Sequence, residues 1–197
     1  MTFTAAPVFR AGPYTAHEIT RDELPALQAF FDANPEYYFT VGDAPPAPDE
    51  AWREFDERPP PEWPVGKTWL LRFTDPDGDM IGMANVVADL IVTGVWHIGL
   101  FIVATAHHGS GASATLHAGL EAWMRASGAR WIRLGVVVGN ERAERFWQRM
   151  GYREVRTREG FAAGTRINTV RVLVKPLVDA ALSDYLALVA RDNPGAP

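Results

Sequence analysis

The stretch from Leu100 to Ala126 constrains the fold most. Leu100-Phe101-Ile102-Val103 has the character of a strand, the turn that follows is broken by Gly109 and Gly111, and Leu116, Leu120, Trp123 and Met124 then recur at helical spacing. A strand that runs through a glycine turn into a helix leaves unpaired N–H groups and the positive end of the helix dipole facing that turn. The segment is therefore a candidate anion site. A Walker loop is excluded, because Gly109-Ser110-Gly111 is not followed by Gly-Lys-Ser/Thr. Gly109, Gly111 and Ala114 satisfy the dinucleotide pattern G-x-G-x-x-A, yet five residues separate Val103 from the first glycine. The next strand also ends in Val138-Gly139-Asn140, with no acid where a ribose would be held.

The flanking sequence sets the rest of the architecture. Tyr14 to Ile19 is a short strand, and Thr20-Arg21-Asp22-Glu23 matches a capping box that opens a helix carrying Leu24, Leu27, Phe30 and Phe31. That helix is expected to stop near Asn34-Pro35. Tyr37, Tyr38 and Phe39 follow at once, as a core edge or as a wall facing a ligand. From Gly42 to Pro64 the chain is rich in proline, with a helical piece at Ala51–Phe55, and Trp52, Phe55 and Trp63 in it require burial. It is a structured excursion rather than a linker. Asp43, Asp49, Glu50, Glu54, Asp56, Glu57 and Glu62 outnumber Arg53 and Arg58 there, which describes either a solvated face or a mouth for a cationic substrate.

Thr68–Thr74, Met80–Val87 and Val95–Val103 form a meander, and Arg130–Val138 is apolar enough to lie in a sheet covered on both faces. Asn140 caps a helix with Ala143, Phe146, Trp147 and Met150 on one side. Tyr152–Arg158 and Arg166–Val174 are the last strands, and Val178–Ala190 has helical spacing. The expected fold is α/β (α+β), with a mixed central sheet of about seven strands, helices on both faces and an appended C-terminal helix. One domain is expected over 1–197, with flexible tails at 1–12 and 192–197 and a variable acceptor-side region at 14–64.

Composition removes several classes of function. With no cysteine among 197 residues there is no thiolate nucleophile and no disulfide framework. The five histidines lack the i, i+4 pairing of a helical zinc site, so no metal is expected. A formal charge of −5 argues against nucleic acid as a partner. No segment resembles a membrane span or a signal peptide, so a cytoplasmic protein without a membrane partner is expected, as monomer or homodimer.

The glycine turn resembles the acyl-CoA signature of the GNAT superfamily of N-acetyltransferases, a strand ending in Val followed by Arg/Gln-x-x-Gly-x-Gly/Ala at the main helix. His108 stands at the Arg/Gln place, Gly111 at the central glycine and Ser113 at the last small position. Downstream, Asn140 to Tyr152 is similar to the second signature, Asn-x-x-Ala-x-x-Phe-Tyr-x-x-x-Gly-Phe. The two blocks stand in order, about 30 residues apart with a strand between. The resemblance covers 68–174 and implies transfer of an acetyl group from acetyl-CoA to a primary amine by direct attack in a ternary complex. The acidic, aromatic and proline-rich region from Tyr37 to Pro64 would suit a small cationic acceptor, with a peptide N-terminus or lysine as the other possibility, and no metal is involved. A non-catalytic acyl-CoA-binding or partner-binding module of the same fold is the alternative.

The resemblance also implies roles. Two parallel strands, Val95–Val103 and Arg130–Val138, splay to admit the pantetheine arm beside Phe101, Ile102 and Val103, with an oxyanion contact from the Val103 N–H. His108, Gly109, Ser110, Gly111, Ala112 and Ser113 hold the pyrophosphate, and Asn140, Phe146 and Trp147 complete the donor site, while Arg142, Arg145 and Arg149 lie near one face of the same helix, either as a solvated set or as contacts of a CoA phosphate. Trp147 replaces the Tyr that serves as acid in the family, and an indole N–H cannot supply a proton. His97, whose ordinary pKa is near neutrality, and Asp89 are the candidate bases, and Tyr37 and Tyr38 the candidate acceptor-binding residues.

Overall fold

A computed structural model describes residues 6–196. The chain runs β1 (Phe9–Ala11), β2 (Tyr14–Glu18), α1 (Leu24–Ala33), α2 (Glu36–Gly42), α3 (Glu50–Asp56), β3 (Thr68–Thr74), β4 (Met80–Val87), β5 (Val95–Val103) and α4 (Ala112–Ala126). It continues through β6 (Trp131–Val137), α5 (Glu141–Arg149), β7 (Arg153–Ala163), β8 (Arg166–Pro176) and α6 (Leu182–Leu188). One mixed sheet holds eight strands in the order β1-β2-β3-β4-β5-β6-β8-β7. Only β5 and β6, joined by the crossover through α4, pair in parallel.

Helices cover both faces. Leu116, Leu120 and Met124 of α4 pack with Trp96, Ile98 and Ile132 on one side. Leu24, Leu27 and Phe31 of α1 pack with Leu70, Met83 and Leu100 on the other. The expected capping box forms before α1, where the Glu23 carboxylate accepts from the Thr20 N–H at 2.7 Å.

Three expectations change, and one segment without an expected element proves helical. The sheet has eight strands, because Phe9–Ala11, placed in a loose N-terminal tail, pairs with β2. Its Ala11 presses so close to Gly119 of α4 that no side chain fits there, which explains a glycine in mid-helix. Tyr37–Phe39 lie within a helix of their own, α2, which starts directly after Pro35. The C-terminal helix is shorter than Val178–Ala190, and beyond it Asp192, placed in a flexible tail, is wholly buried. Residues 1–5 and 197 of the expected tails lie outside the described residues.

One irregularity in β5 positions the site. Asn85 of β4 faces Leu100 and Val86 faces Ile98, so Gly99 is an extra residue without a cross-strand partner. The bulge shifts the alternation. Trp96 and Ile98 point to the α4 side before it, and Phe101 and Val103 do so after it. On the other edge, β5 pairs with β6 only from Val95↔Trp131 to Ile98↔Leu134. Beyond that point β5 follows β4 to Gly82↔Val103, while β6 follows β8 to Val137↔Val170. The two parallel strands part at the bulge.

Candidate active site

The opening between the parted strands leads into a cavity of about 800 Å³. Phe101, Ile102 and Val103 form one wall, the turn with His108, Gly109, Gly111 and Ser113 forms its end, and Asn140, Phe146 and Trp147 form the other wall. Backbone direction follows from the ladder. Ala104 N–H donates to Ile81 O at 2.8 Å, so by alternation the N–H and C=O groups of Phe101 and Val103 turn away from β4 toward the opening. His108 Nε2 lies 2.8 Å from the Val103 carbonyl and occupies it, which ties the turn to the strand end.

At the turn, Gly109 has φ +79° and Gly111 has φ +89°, and a Cβ at either would meet nothing within 4 Å. The turn is a cradle open toward the cavity. Ser110 and Ala112 do not line it. Ser110 Oγ donates to His107 O at 2.7 Å and accepts from the Ala112 N–H at 3.2 Å, closing the turn onto the helix. The first intrahelical bond of α4 runs from Thr115 N to Gly111 O. The N–H groups of Ser113 and Ala114, both on the cavity wall, therefore have no partner within the helix. Ala114 is a donor the sequence reading passed over. Positive φ, open cradle and free helix N–H groups fit a pyrophosphate, and the parted strand fits an extended amide-bearing arm.

The second signature block is packed as much for shape as for binding. Trp147 is buried, edge-on to Phe101 and Tyr152 with ring centroids 5.7 and 5.1 Å away. The Tyr152 hydroxyl lies 3.0 Å from His117 Nε2, and burial holds His117 neutral by lowering its pKa to about 4. Asn140 accepts from the Ala143 N–H at 3.2 Å and is the cap of α5. Asn140→Ala is expected to lower stability by about 1 kcal/mol. A fall of ~3 °C in the thermal midpoint would register it. Arg142, Arg145 and Arg149 all reach the cavity rim, where Arg142 lies 3.6 Å from Glu36 and Arg145 2.9 Å from Glu141.

A second cavity, of about 530 Å³, lies on the α1–α3 side of the sheet. It meets β5 at Gly99 and Leu100, next to the first cavity's Phe101, and Tyr37 lines both. Tyr38, Asn85, His97, Arg133 and the carboxylates of Glu50, Glu54 and Glu57 also line it. His97, the expected base, faces this space, but burial and the Arg133 guanidinium, 3.4 Å from its Nδ1, lower its pKa to about 3. Asp89, the other expected base, lines neither cavity. Its Oδ1 accepts from the Gly94 N–H at 2.6 Å and closes the turn between β4 and β5. Sequence reasoning missed Asn85. The signal was a lone amide in the otherwise apolar run Met80–Val87.

Comparison with known proteins identifies the family and the fold. The model of the acetyltransferase (GNAT) family matches residues 26–152, more than half of the chain, and the protein belongs to that family of N-acetyltransferases. Among solved structures it resembles a GCN5-related N-acetyltransferase from Kribbella flavida, 24% identical over 85% of this chain and 100% of that one, with a TM-score of 0.62. It also resembles the spermidine N-acetyltransferase of Vibrio cholerae, solved with CoA and spermine, at 17% identity over 84% and 96% and a TM-score of 0.64. The ribosomal-protein-S18-alanine N-acetyltransferase of Escherichia coli is 15% identical over 85% and 96%, with a TM-score of 0.59. No curated protein matches in sequence. Among the described residues no group of three or more His, Asp and Glu could hold a metal ion, and no helix is long and apolar enough to cross a membrane.

Proposed function

We propose that the protein transfers an acetyl group from acetyl-CoA to a small, positively charged primary amine. The observation that carries this reading is the meeting of two cavities on successive residues of β5, where the strands part. One ends in an open glycine cradle, and the other carries Glu50, Glu54 and Glu57 together with Arg53, Arg58 and Arg133, each of these arginines held by a carboxylate or backbone carbonyl partner. Acetyl-CoA is a substrate here, and it supplies a thioester carbonyl that an amine can attack directly. Ser113, Ala114, Gly109 and Gly111 hold its pyrophosphate, and the outward N–H groups of Phe101 and Val103 pair with its arm. Past the bulge at Gly99, Phe101 is the first residue whose N–H turns toward the opening, and Val103 lies about 7 Å further along the strand. The N–H placed to stabilise a developing oxyanion is therefore that of Phe101 rather than Val103.

Tyr37 takes the place that Trp147 cannot fill. Its ring lines both cavities, and burial followed by the charges of Glu54, Glu50 and Glu57 raises its pKa, so the phenol stays protonated and can stabilise a departing thiolate by a hydrogen bond. The carboxylates of the second cavity favour an ammonium-bearing acceptor, and the likeness in fold to a spermidine N-acetyltransferase solved with spermine supports this reading. Thiol release from acetyl-CoA should be measured with diamines and polyamines, with neutral monoamines and with peptide N-termini. The cationic small amines are expected to give the highest kcat/KM, by at least tenfold. Exclusive use of peptides, or of acidic compounds, would overturn the acceptor assignment.

A further inference from the structure

The acceptor cavity contains a carboxylate placed unlike the others. Glu54 of α3 accepts a hydrogen bond from Asn85 Nδ2 at 2.5 Å. Asn85 in turn flanks the bulge, since a Cβ built on Gly99 would lie 3.6 Å from its Cγ. Glu54 is thus one side chain removed from the point where β5 and β6 part. The hydrogen bond also fixes the amide. With Nδ2 committed to Glu54, Asn85 Oδ1 is left buried, and among the described residues neither it nor the Tyr38 hydroxyl on the same cavity has a hydrogen-bond partner. An acceptor atom and a hydroxyl, both buried and both unpaired beside a carboxylate, ask for a ligand with several N–H donors. A primary ammonium is such a ligand.

We infer that Glu54 takes the proton from the acceptor's amine, with Asn85 as its positioning residue. The inference rests on the acetyl-transfer reading above and gives that reaction its base. The step balances. The Glu54 carboxylate takes one proton from R–NH₃⁺, and the freed lone pair forms the N–C bond at the thioester carbonyl carbon as the C–S bond breaks. The sulfur leaves with the electron pair of that bond. A second proton from nitrogen converts it to the thiol, directly or by way of the Tyr37 hydroxyl, and Glu54 returns its proton to solvent through the cavity.

The electrostatics agree with the placement. Burial pushes Glu54 up, the Asn85 hydrogen bond opposes this, and Glu57 and Glu50 push it further, to about 7. Tyr37 and Tyr38 on α2 stay protonated, and Arg133, also on the cavity wall, is paired with Asp192. Arg53 and Arg58, at the rim, pair with Asp49 and with the backbone carbonyls of Phe55 and Glu57. Taking a proton from an ordinary alkylammonium, with a pKa of about 10, is uphill by roughly 10³-fold for Glu54. For His97, at about 3, it is uphill by roughly 10⁷-fold. Glu54 is the better base of the two by roughly 10⁴-fold.

The test is the pH profile of kcat/KM for a cationic amine, read by thiol release. In the wild type, kcat/KM should rise tenfold per pH unit up to a break near 7 and then level. Glu54→Gln should lose roughly 10²–10³-fold at pH 7. It should also lose the break and climb toward the pKa of the amine itself. Glu54→Asp should restore the break in part. Asn85→Ala, which removes the bond holding Glu54 down, should move the break upward. CoA affinity by calorimetry and the thermal midpoint should be unchanged in Glu54→Gln. An unaltered break in that variant, or loss of activity together with CoA affinity or fold, would overturn the assignment. Absence of amine-dependent thiol release in the wild type would instead overturn the acetyl-transfer reading beneath it.

Discussion

Gly111→Val is expected to lower CoA affinity by at least 100-fold while leaving the protein folded. Two effects act together. Gly111 sits at φ +89° as the residue before α4, a conformation that costs a β-branched side chain about 1–3 kcal/mol. The space a side chain would enter is free of protein atoms within 4 Å and borders the donor cavity, so the valine takes volume that the ligand's phosphates need. Each charge-assisted bond from a helix N–H to phosphate is worth about 1.5–3 kcal/mol, and losing two corresponds to 10²-fold or more in Kd. Gly128, at the other end of α4, supplies the control. It has φ +104° with equally open space around it, but it lies away from both cavities. Gly128→Val should show a similar fall in thermal midpoint with CoA affinity intact. Calorimetry with CoA on the two variants separates strain from obstruction, and wild-type affinity in Gly111→Val would refute the placement of the pyrophosphate.

The contrast between these two glycines also shows why the glycine cradle was legible in the sequence. Everything the cradle requires lies within one stretch: an apolar strand end, glycines that permit positive φ, and a helix with apolar spacing. The cap at Asn140 and the box at Thr20–Glu23 are equally local, and they too could be read from neighbouring residues. What could not be read depends on distant pairs. Glu54 and Asn85 meet across 31 positions, from a helix inside a proline-rich segment to a strand with otherwise apolar neighbours. The bulge at Gly99, which sends His97 and Phe101 to opposite faces, has a local mark only in the glycine itself, and its effect on facing follows from the register against β4. Likewise, the polar composition of Asp192 to Pro197 argues for a solvated tail. The partner that buries Asp192 is a strand arginine 59 positions earlier.

That partnership carries the largest expected effect on stability. Asp192 accepts from Arg133 Nε at 2.7 Å and Nη2 at 3.2 Å, from the Tyr185 hydroxyl at 2.7 Å and from Arg158 at 3.3 Å. Burial alone would raise its pKa, but the hydrogen bonds and charge of Arg133, with Tyr185 and Arg158, outweigh this and hold it below the ordinary carboxylate range. Asp192→Ala leaves the Arg133 guanidinium buried without its counter-ion, at an expected cost of about 3–5 kcal/mol. The thermal midpoint at pH 7 should fall by ~10 °C. The sign of the pH dependence follows from the depressed pKa. The contribution is fully present above the ordinary carboxylate range and is lost as pH falls below about 4, so wild type and variant should converge in acid. The consequence for function is local. Arg133 borders the acceptor cavity beside His97, and Arg191, next to Asp192, stacks 3.8 Å over Trp63 of the proline-rich segment that walls the same cavity. Freeing the C-terminal segment should therefore raise KM for the amine several-fold while CoA affinity stays within twofold. An equal loss at both substrates would mean that the Asp192 cluster supports the whole sheet rather than the acceptor wall.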